Sequence, residues 1–285
     1  MSEAAVAEPG KVRRRRPWLA GIANLLYAGL GYLYVGRGRF AIAVLAGSFL
    51  VLAVAGWTGL VFNPIATWAL ALGAIGAQVA FAVHAWRIAA REREAALKRY
   101  QRWWAYLLWI AAGMLASSLV TPHRAEWFGY EPFHMPASSM APALESGDYV
   151  MTDTWHFRRE APAYGDVAVF EVPNRPGAVF VKRIIGLPGD TLELHDDVLV
   201  RNGETVDEPY VLLLDSALPG FSNFSAVVVP DDTVFVLGDN RRNSLDSRMF
   251  GPVPIEGLRG RVVHRWFAYD DGIRWERFPE RLRTG

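Results

Sequence analysis

The chain has 285 residues, a formal net charge of +1 and no cysteine. The balanced charge gives no general electrostatic reason to bind nucleic acid or an acidic substrate, and the missing cysteines exclude disulfides, thiolate nucleophiles and Cys-ligated zinc. Apolar residues make up 52% of the chain but are concentrated before Thr121. We therefore expect a membrane anchor over residues 1–121 and a separate domain of ordinary soluble composition over residues 122–285.

Four apolar segments in the first region approach the length of about 20 residues that a membrane-spanning helix needs. They are residues 18–35, 40–62, 65–86 and 103–120, and none contains Asp, Glu, Lys or Arg. Uninterrupted segments of this length would require an unusually large core in a water-soluble protein. We therefore interpret them as membrane segments.

Basic clusters indicate the orientation of these segments, because short loops rich in Lys and Arg stay in the cytoplasm. The clusters are Lys11 with residues 13–16, Arg37 with Arg39, and residues 87–102, which we predict to form a charged helix. Segment 18–35 lies between two such clusters, so a single crossing by this segment conflicts with the rule.

We prefer an arrangement in which residues 18–35 do not cross the membrane. Their glycines and tyrosines, together with Asn24, suit an interfacial or re-entrant segment. The alternative is four true spans with the N-terminus outside. In both arrangements, residues 103–120 lead the chain out of the membrane on its outer face.

From Asp148 onward, the pattern changes to short β-branched runs separated by turn residues. The predicted strands are residues 149–154, 167–172, 179–185, 191–194, 198–200, 226–229, 233–237 and 261–267. Helical periodicity is nearly absent, so we predict a mainly β domain, an antiparallel β-barrel or sandwich. Residues 201–225 have the composition of a loop-rich excursion from this sheet core.

A candidate nucleophile is present in the proline-flanked loop that holds Ser138 and Ser139. Such a nucleophile needs a base, and none of the histidines has a recognisable triad context. Lysine can act as the base when burial makes it neutral near pH 7. Lys182 lies in an apolar run in which strand alternation puts Phe180 and Ile184 on its own face. On spacing alone, a lysine that points to solvent explains Lys182 equally well.

Three ordered stretches of the second region form a recognisable set. The first is Pro-Ala-Ser-Ser-Met-Ala-Pro-Ala-Leu at 136–144, followed by Gly-Asp at 147–148; the second is Lys-Arg-Ile-Ile-Gly-Leu-Pro-Gly-Asp at 182–190; the third is Gly-Asp-Asn-Arg-Arg-Asn-Ser-Leu-Asp-Ser-Arg at 238–248. Within residues 130–267, this set resembles the serine/lysine boxes of bacterial type I signal peptidases, the leader peptidases of serine/lysine protease family S26.

The resemblance implies a role for each matching residue. Ser139 corresponds to the nucleophile, Lys182 to the general base and Ser244 to the serine that orients the lysine amine. The supporting residues are the ion pair of Asp246 and Arg248 and the turn of Gly238, Asp239 and Asn240. The walls of the pockets for small substrate residues are Phe133, Met135, Met140, Leu144, Phe180 and Val181, for which ordinary core packing is the competing interpretation.

The resemblance also implies an activity and a location. The activity is that of a membrane-bound serine endopeptidase, which cleaves N-terminal signal peptides from translocated preproteins with small residues at the cleavage site. The location is the bacterial cytoplasmic (inner) membrane, in contact with membrane lipid, as a multi-pass protein with the catalytic domain on the outer (periplasmic) face. We expect no metal, nucleotide or redox cofactor and no nucleic acid partner.

Two departures from the family pattern leave other functions open. Ala137 stands where the family often has a serine that helps to stabilise the oxyanion, and loss of one such donor typically costs about 2.7–4 kcal/mol. The familiar enzymes also have one or two spans, whereas three or four are predicted here. The alternatives are a dedicated serine/lysine processing protease for one secretion or conjugation partner and a weakly active, signal-peptide-binding assembly factor.

Overall fold

The structure is a computed structural model. It describes residues 12–96, 98, 100–173, 175–213, 222–270 and 272–273. Lys11 and Arg99 of the predicted basic clusters, and residues 214–221 of the predicted excursion, lie outside the described residues. The chain divides into two compact units, Met1–Thr58 with Thr67–His123 and Gly59–Ala66 with Arg124–Gly285.

The N-terminal half of the chain is mainly helical. Its elements are strand β1 (Val12–Arg14), helices α1 (Pro17–Leu26), α2 (Leu30–Tyr34), α3 (Gly38–Trp57) and α4 (Pro64–Arg91), strand β2 (Glu94–Ala96) and helix α5 (Trp103–Phe128), with a 3₁₀ turn at Leu60–Phe62. By length and composition, α3, α4 and α5 can each cross a membrane. Helix α5 continues through Pro122, beyond the end of the apolar segment predicted from the sequence.

The predicted segment 18–35 is not one continuous helix. It is divided into α1 and α2 at Gly29, whose φ of +84° favours glycine. The chain is also crowded at this point, because a Cβ on Gly29 would lie 2.9 Å from the carbonyl oxygen of Ala41. With 10 and 5 residues, neither helix is long enough to span a bilayer, as the preferred arrangement requires.

The prediction of a charged helix over residues 87–102 is wrong. Helix α4 ends within this range, and β2 then pairs antiparallel with β1. Glu92 accepts hydrogen bonds from Arg15 at 2.8 Å and from Arg37 at 2.6 Å. Because these partners are distant in sequence, tertiary contacts outweigh the local helical preference of the charged run.

The C-terminal half consists mainly of β-strands. The elements are strands β3 (Tyr130–His134), β4 (Asp148–Asp153), β5 (Val167–Glu171), β6 (Val179–Gly186), β7 (Thr191–His195), β8 (Val198–Arg201), β9 (Glu204–Thr205), β10 (Phe224–Val228), β11 (Thr233–Leu237), β12 (Val253–Pro254), β13 (Leu258–Asp270) and β14 (Gly272–Ile273), with short helices α6 (His156–Arg159) and α7 (Ser247–Phe250). Every strand predicted from the sequence is present, and the ends agree within two residues except at β13, which extends three residues beyond the predicted strand at each end.

These strands form two antiparallel sheets. The larger has the order β12-β11-β6-β5-β13-β4-β3, with β14 paired to β13, and the smaller has the order β10-β7-β8-β9. The mainly β, antiparallel character predicted from the sequence is therefore confirmed. The sequence pattern does not predict β3, because this strand contains Pro132. A strand tolerates proline at the edge of a sheet, where β3 lies.

Strand β6 lies between two apolar clusters. Phe180 and Ile184 pack in one cluster with Phe170, whereas Val181 packs in the other. Alternation along a strand puts Lys182 on the face of Phe180 and Ile184, and its side chain is buried. The interpretation of Lys182 as a lysine that points to solvent is therefore wrong.

Candidate active site

Ser139 lies in the loop between β3 and β4. Backbone hydrogen bonds close this loop: the N–H of Met135 donates to the carbonyl oxygen of Asp148 at 2.8 Å, and the N–H of Gly147 donates to that of Met135 at 2.8 Å. Met140 is fully buried, so the residue after Ser139 is anchored in the core. The serine therefore stands on a loop that is fixed at both ends.

Strand β6 brings Lys182 to the hydroxyl of Ser139. Nζ of Lys182 lies 2.7 Å from Oγ of Ser139 and donates to the carbonyl oxygen of Val181 at 3.0 Å. The lysine side chain is only 4% exposed, and Nζ lies 5.3 Å from the centroid of the Phe180 ring. A buried amine at this distance from a serine hydroxyl has the geometry that proton transfer requires.

Burial is the main influence on the protonation of Lys182, because an apolar environment disfavours the charged amine. It lowers the pKa of Lys182 from 10.5 to about 8. The negative charges of Asp246 and Asp239 oppose this shift, and the positive charge of Arg248 adds to it. With such a pKa, about a tenth of the amine is neutral at pH 7 and about half at pH 8. The site can therefore supply a neutral amine near neutral pH.

Gly238 allows the turn after β11 to approach the serine loop closely. A Cβ on Gly238 would lie 2.5 Å from the carbonyl oxygen of Ser139 and 2.2 Å from Oγ of Ser244. Ser244 is 5% exposed, and among the described residues its hydroxyl has no hydrogen-bond partner. The structure thus places Ser244 beside the turn, but the predicted hydrogen bond to Lys182 is not formed.

The ion pair of Asp246 and Arg248, expected from the resemblance, is present and supports the same turn. The two oxygens of Asp246 accept from Nε of Arg248 at 2.8 Å and from its Nη2 at 2.7 Å. One of these oxygens also accepts from the backbone N–H of Gly238 at 3.1 Å. Because Asp246 is fully buried, this carboxylate links the short helix α7 to the turn that faces Ser139.

Asn240 connects the turn to the serine loop. Its backbone N–H donates to the carbonyl oxygen of Ser139 at 3.2 Å, and its Nδ2 donates to that of Ser138 at 3.2 Å. Its side-chain oxygen is buried and has no hydrogen-bond partner within the described part of the chain. Asn240 therefore fixes the backbone at the serine itself and at the residue before it.

A second buried ion pair, which the sequence does not predict, lies next to Ser139 and Lys182. Arg183 makes two hydrogen bonds to Asp239, at 2.8 and 2.7 Å, and both side chains are 1% exposed. The guanidinium of Arg183 also lies 3.9 Å from the centroid of the Tyr210 ring. Arg183 follows Lys182 directly in the second motif, so its position in the motif was a signal, whereas nothing in the loop composition singled out Tyr210.

The six residues predicted to form pocket walls divide between the two clusters. Met135, Met140, Leu144 and Val181 are buried together in one cluster, and Phe133 packs against it. Phe180 belongs to the other cluster, where its ring contacts that of Phe250 at a centroid distance of 6.3 Å. Five of the predicted wall residues are thus brought together, and Phe180 reaches the site through its contact with the Lys182 amine.

Two further features bear on the chemistry of the site. Ala137, the position that the resemblance associates with the oxyanion, is exposed. Within the described residues, no group of three or more His, Asp or Glu side chains could hold a metal ion. Around Ser139, the structure brings together a hydroxyl and a buried amine, which suit acyl transfer.

Comparisons with known proteins identify the family of the chain. Residues 104–267 match the sequence profile of the family described as signal peptidase, peptidase S26. Probable signal peptidase I-1 of Synechocystis sp. is 36% identical over 169 residues, which cover 57% of this chain and 82% of that protein. Signal peptidase I of Bacillus caldolyticus is 34% identical over 181 residues, which cover 60% of this chain and 93% of that protein.

A solved structure is also similar in sequence. A signal peptidase I from Enterococcus faecalis is 35% identical, and the match covers 36% of this chain and 97% of that chain, with a TM-score of 0.32. A TM-score this low adds nothing to the description of the fold. From the profile and the relatives, the chain belongs to the signal peptidase family, peptidase S26, and is a hydrolase that acts on peptide bonds.

Proposed function

We propose that the chain is a membrane-bound serine endopeptidase that removes N-terminal signal peptides from translocated preproteins. Ser139 is the nucleophile and Lys182 the general base. The observation that supports this most strongly is the 2.7 Å distance between Nζ of Lys182 and Oγ of Ser139, combined with a pKa of about 8 for the buried amine.

The first half of the reaction forms an acyl-enzyme. Neutral Lys182 takes the proton of the Ser139 hydroxyl, and Oγ attacks the carbonyl carbon of the scissile peptide bond. The protonated amine then gives this proton to the nitrogen of the leaving peptide, so the C–N bond breaks and the amine is neutral again. The signal peptide is left as an ester on Oγ.

The second half of the reaction releases the signal peptide. Lys182 takes a proton from a water molecule, and the hydroxide attacks the ester carbonyl carbon. As the C–O bond to Oγ breaks, the lysine returns the proton to Ser139. The dyad thus ends in its starting protonation state, and no metal or cofactor is needed in either half.

The supporting residues keep these atoms in position. Asn240 holds the backbone of Ser139 by a hydrogen bond, Gly238 leaves room for the close approach, and Asp246 accepts from the N–H of Gly238. We infer that Ser244 hydrogen-bonds the lysine amine when a substrate is bound, since its buried hydroxyl has no partner among the described residues. The pocket walls select small side chains on the substrate, whose main chain binds extended along a strand edge.

The helical half anchors this domain. We propose that α3, α4 and α5 cross the bacterial cytoplasmic membrane, that residues 18–35 do not, and that the catalytic domain lies on the outer (periplasmic) face. Residues 1–121 then form the anchor and residues 122–285 the peptidase domain, with the barrel or sandwich arrangement of the family. The three long apolar helices and the positions of the basic clusters support this arrangement.

The test is cleavage of a preprotein with an Ala-x-Ala site by the purified full chain in detergent. We expect cleavage after the second alanine, located by N-terminal sequencing of the product. Ser139→Ala, Lys182→Ala and Lys182→Arg should abolish it, because each removes the nucleophile or the neutral amine. Ser138→Ala is the matched control for the neighbouring hydroxyl and should retain cleavage.

Two results would contradict the proposal. Cleavage that survives in a folded Ser139→Ala variant would exclude Ser139 as the nucleophile. Failure of the folded wild type to cleave any member of a broad preprotein panel would favour the dedicated processing protease or the binding-only factor. Melting temperatures of all variants separate loss of chemistry from loss of folding.

A further inference from the structure

A cleft of about 730 Å³ opens at the start of α1, in the helical half of the chain. Its polar lining consists mainly of arginines, namely Arg14, Arg15, Arg16 and Arg93, and Trp18 and Tyr34 supply aromatic surface. The volume is within the range of about 300–1,000 Å³ that is common for small-molecule sites. The proposed peptidase mechanism uses none of these residues.

The pairing of β1 with β2 assembles this cleft from distant parts of the sequence. The backbone N–H of Arg15 donates to the carbonyl oxygen of Arg93 at 2.7 Å, which brings the arginines of the N-terminal run beside the end of α4. The N–H of Arg16 donates to the Tyr34 hydroxyl oxygen at 2.9 Å. Because that oxygen acts as an acceptor here, the hydroxyl proton can be donated to a ligand.

The positive charge of the cleft is only partly compensated. Glu92 neutralises Arg15 but is shared with Arg37, and the hydrogen bonds from these two arginines lower its pKa. Among the described residues, Arg14, Arg16 and Arg93 form no salt bridge. Glu94, which lies opposite Arg14 in the strand register, forms none either.

We propose that this cleft binds the phosphate of an anionic phospholipid headgroup. Arginine guanidiniums form paired hydrogen bonds with phosphate oxygens, and several unpaired arginines around one cavity suit a negatively charged ligand. A lipid is favoured over a soluble phosphate compound because Arg93 of the cleft lies just beyond α4, an apolar helix that is long enough to span a bilayer. There, lipid phosphates are concentrated and basic pockets bind headgroups.

Trp18 supports the choice of a lipid. It is 53% exposed at the edge of the cleft, and tryptophan is enriched at the boundary between lipid tails and headgroups. A bound lipid can therefore place its phosphate among the arginines while its glycerol and upper chains lie against an aromatic, apolar surface. The arginines of the cleft thus suit the phosphate of the lipid, and the aromatic surface suits its apolar part.

The test measures phosphatidylglycerol bound to the full chain in phosphatidylcholine mixed micelles, by native mass spectrometry across a lipid titration. The test variant carries Arg14→Gln, Arg16→Gln and Arg93→Gln. The control variant carries Arg39→Gln, Arg87→Gln and Arg102→Gln, which removes the same charge from arginines that do not line the cleft. We expect affinity to fall at least about tenfold in the test variant and to stay within about twofold in the control.

Each other outcome overturns the proposal. Equal losses in the two triple variants would indicate diffuse surface attraction, and no loss in either would exclude a role for the arginines. Glycerol 3-phosphate, added to the chain with phosphatidylglycerol already bound, is expected not to displace that lipid; displacement would assign the cleft to a soluble phosphate compound. If the triple variant does not fold, Arg14→Gln alone is tested, because Arg14 is exposed. The readout is lipid binding, so failure here does not affect the peptidase proposal.

Discussion

Many large apolar side chains face outward in the helical half of the molecule, whereas in the β half they face inward. In the helical half, Ile65 and Trp103 are 79% and 74% exposed, whereas Ala20 and Ala41 are fully buried. In the β half, Leu144 and other large apolar residues fill the interior. Small residues at helix contacts and large ones facing outward are typical of proteins in lipid, where apolar burial does not drive packing. The hydropathy of the helical half therefore indicates an apolar environment, but it identifies no catalytic residue.

Buried polar groups also differ between the halves. In the helical half, polar side chains largely donate to backbone carbonyl oxygens. For example, Nε2 of Gln101 donates to the carbonyl oxygen of Tyr34 at 2.7 Å. In the β half, they form charge pairs around the dyad, such as Arg183 with Asp239. Substitutions close to Ser139 and Lys182 should therefore change catalysis, whereas those in the helical half should change stability or lipid binding. The following predictions test this difference, from the largest expected effect to the smallest.

Gly238→Ala should have the largest effect. The added Cβ would lie 2.5 Å from the carbonyl oxygen of Ser139, so the turn and the loop that holds Ser139 must separate. We expect kcat to fall more than about a hundredfold, as misplacement by about 1 Å commonly causes. Gly257→Ala is the control, because its Cβ would meet no atom closer than 4.0 Å. Activity of Gly238→Ala within about twofold of wild type would contradict the close approach.

Ala137→Ser should increase activity. A hydroxyl at this exposed position supplies the oxyanion donor that the resemblance leads us to expect and that this chain lacks. We expect kcat on a preprotein to rise about 10- to 100-fold, somewhat less than the typical loss when such a donor is removed. Ala143→Ser, in the same loop, should leave kcat unchanged. An unchanged kcat for Ala137→Ser would mean that other groups already stabilise the oxyanion.

Asp246→Asn should shift the pH profile. The Asp246 carboxylate raises the pKa of Lys182, so its removal lowers that pKa further below its present value of about 8. The rise of kcat/KM with pH should therefore move to lower pH, and the melting temperature should fall because Arg248 loses its buried partner. Asp197→Asn removes a carboxylate that pairs with Arg242, and its profile should not move. Identical profiles for the two variants would show that Asp246 does not act on Lys182.

Gly31→Ala should have the smallest catalytic effect. Its Cβ would lie 2.2 Å from the carbonyl oxygen of Ala20, so α1 and α2 must separate and the helical half should melt at lower temperature. Cleavage of a short soluble peptide should stay within about twofold of wild type. Gly47→Ala, with no atom near its Cβ, is the matched control for stability. A large loss of peptide cleavage in a folded Gly31→Ala variant would contradict the division of roles between the halves.

The sequence predicted the strands well because short β-branched runs between turn residues specify them locally. Predictions from the sequence are wrong or incomplete where contacts between distant residues determine the structure. The charged run after α4 pairs in part with β1 and binds Arg15, contacts that no local pattern reveals. Strand β3 contains Pro132 and depends on its partner β4 for its existence.

The candidate site was predictable as a set of residues but not as a set of contacts. Motif resemblance supplied Ser139 and Lys182, while periodicity alone could not decide between a buried and an exposed lysine. The pairing of Arg183 with Asp239 could not be predicted from the sequence, because it depends on the pairing of β6 with the end of β11 in the folded sheet. Ser244 shows the opposite limit: the resemblance names its role, but the structure contains no hydrogen bond from its hydroxyl among the described residues.

The most direct test of the dyad is the pH dependence of kcat/KM for wild-type cleavage of a preprotein. Only neutral Lys182 can accept the serine proton, so kcat/KM should rise through a single ionisation with a midpoint at about 8, the pKa of the free enzyme's lysine. A midpoint at about 6.5 would instead indicate a histidine base, and one at about 10.4 an exposed lysine. Either result would contradict the buried serine–lysine dyad.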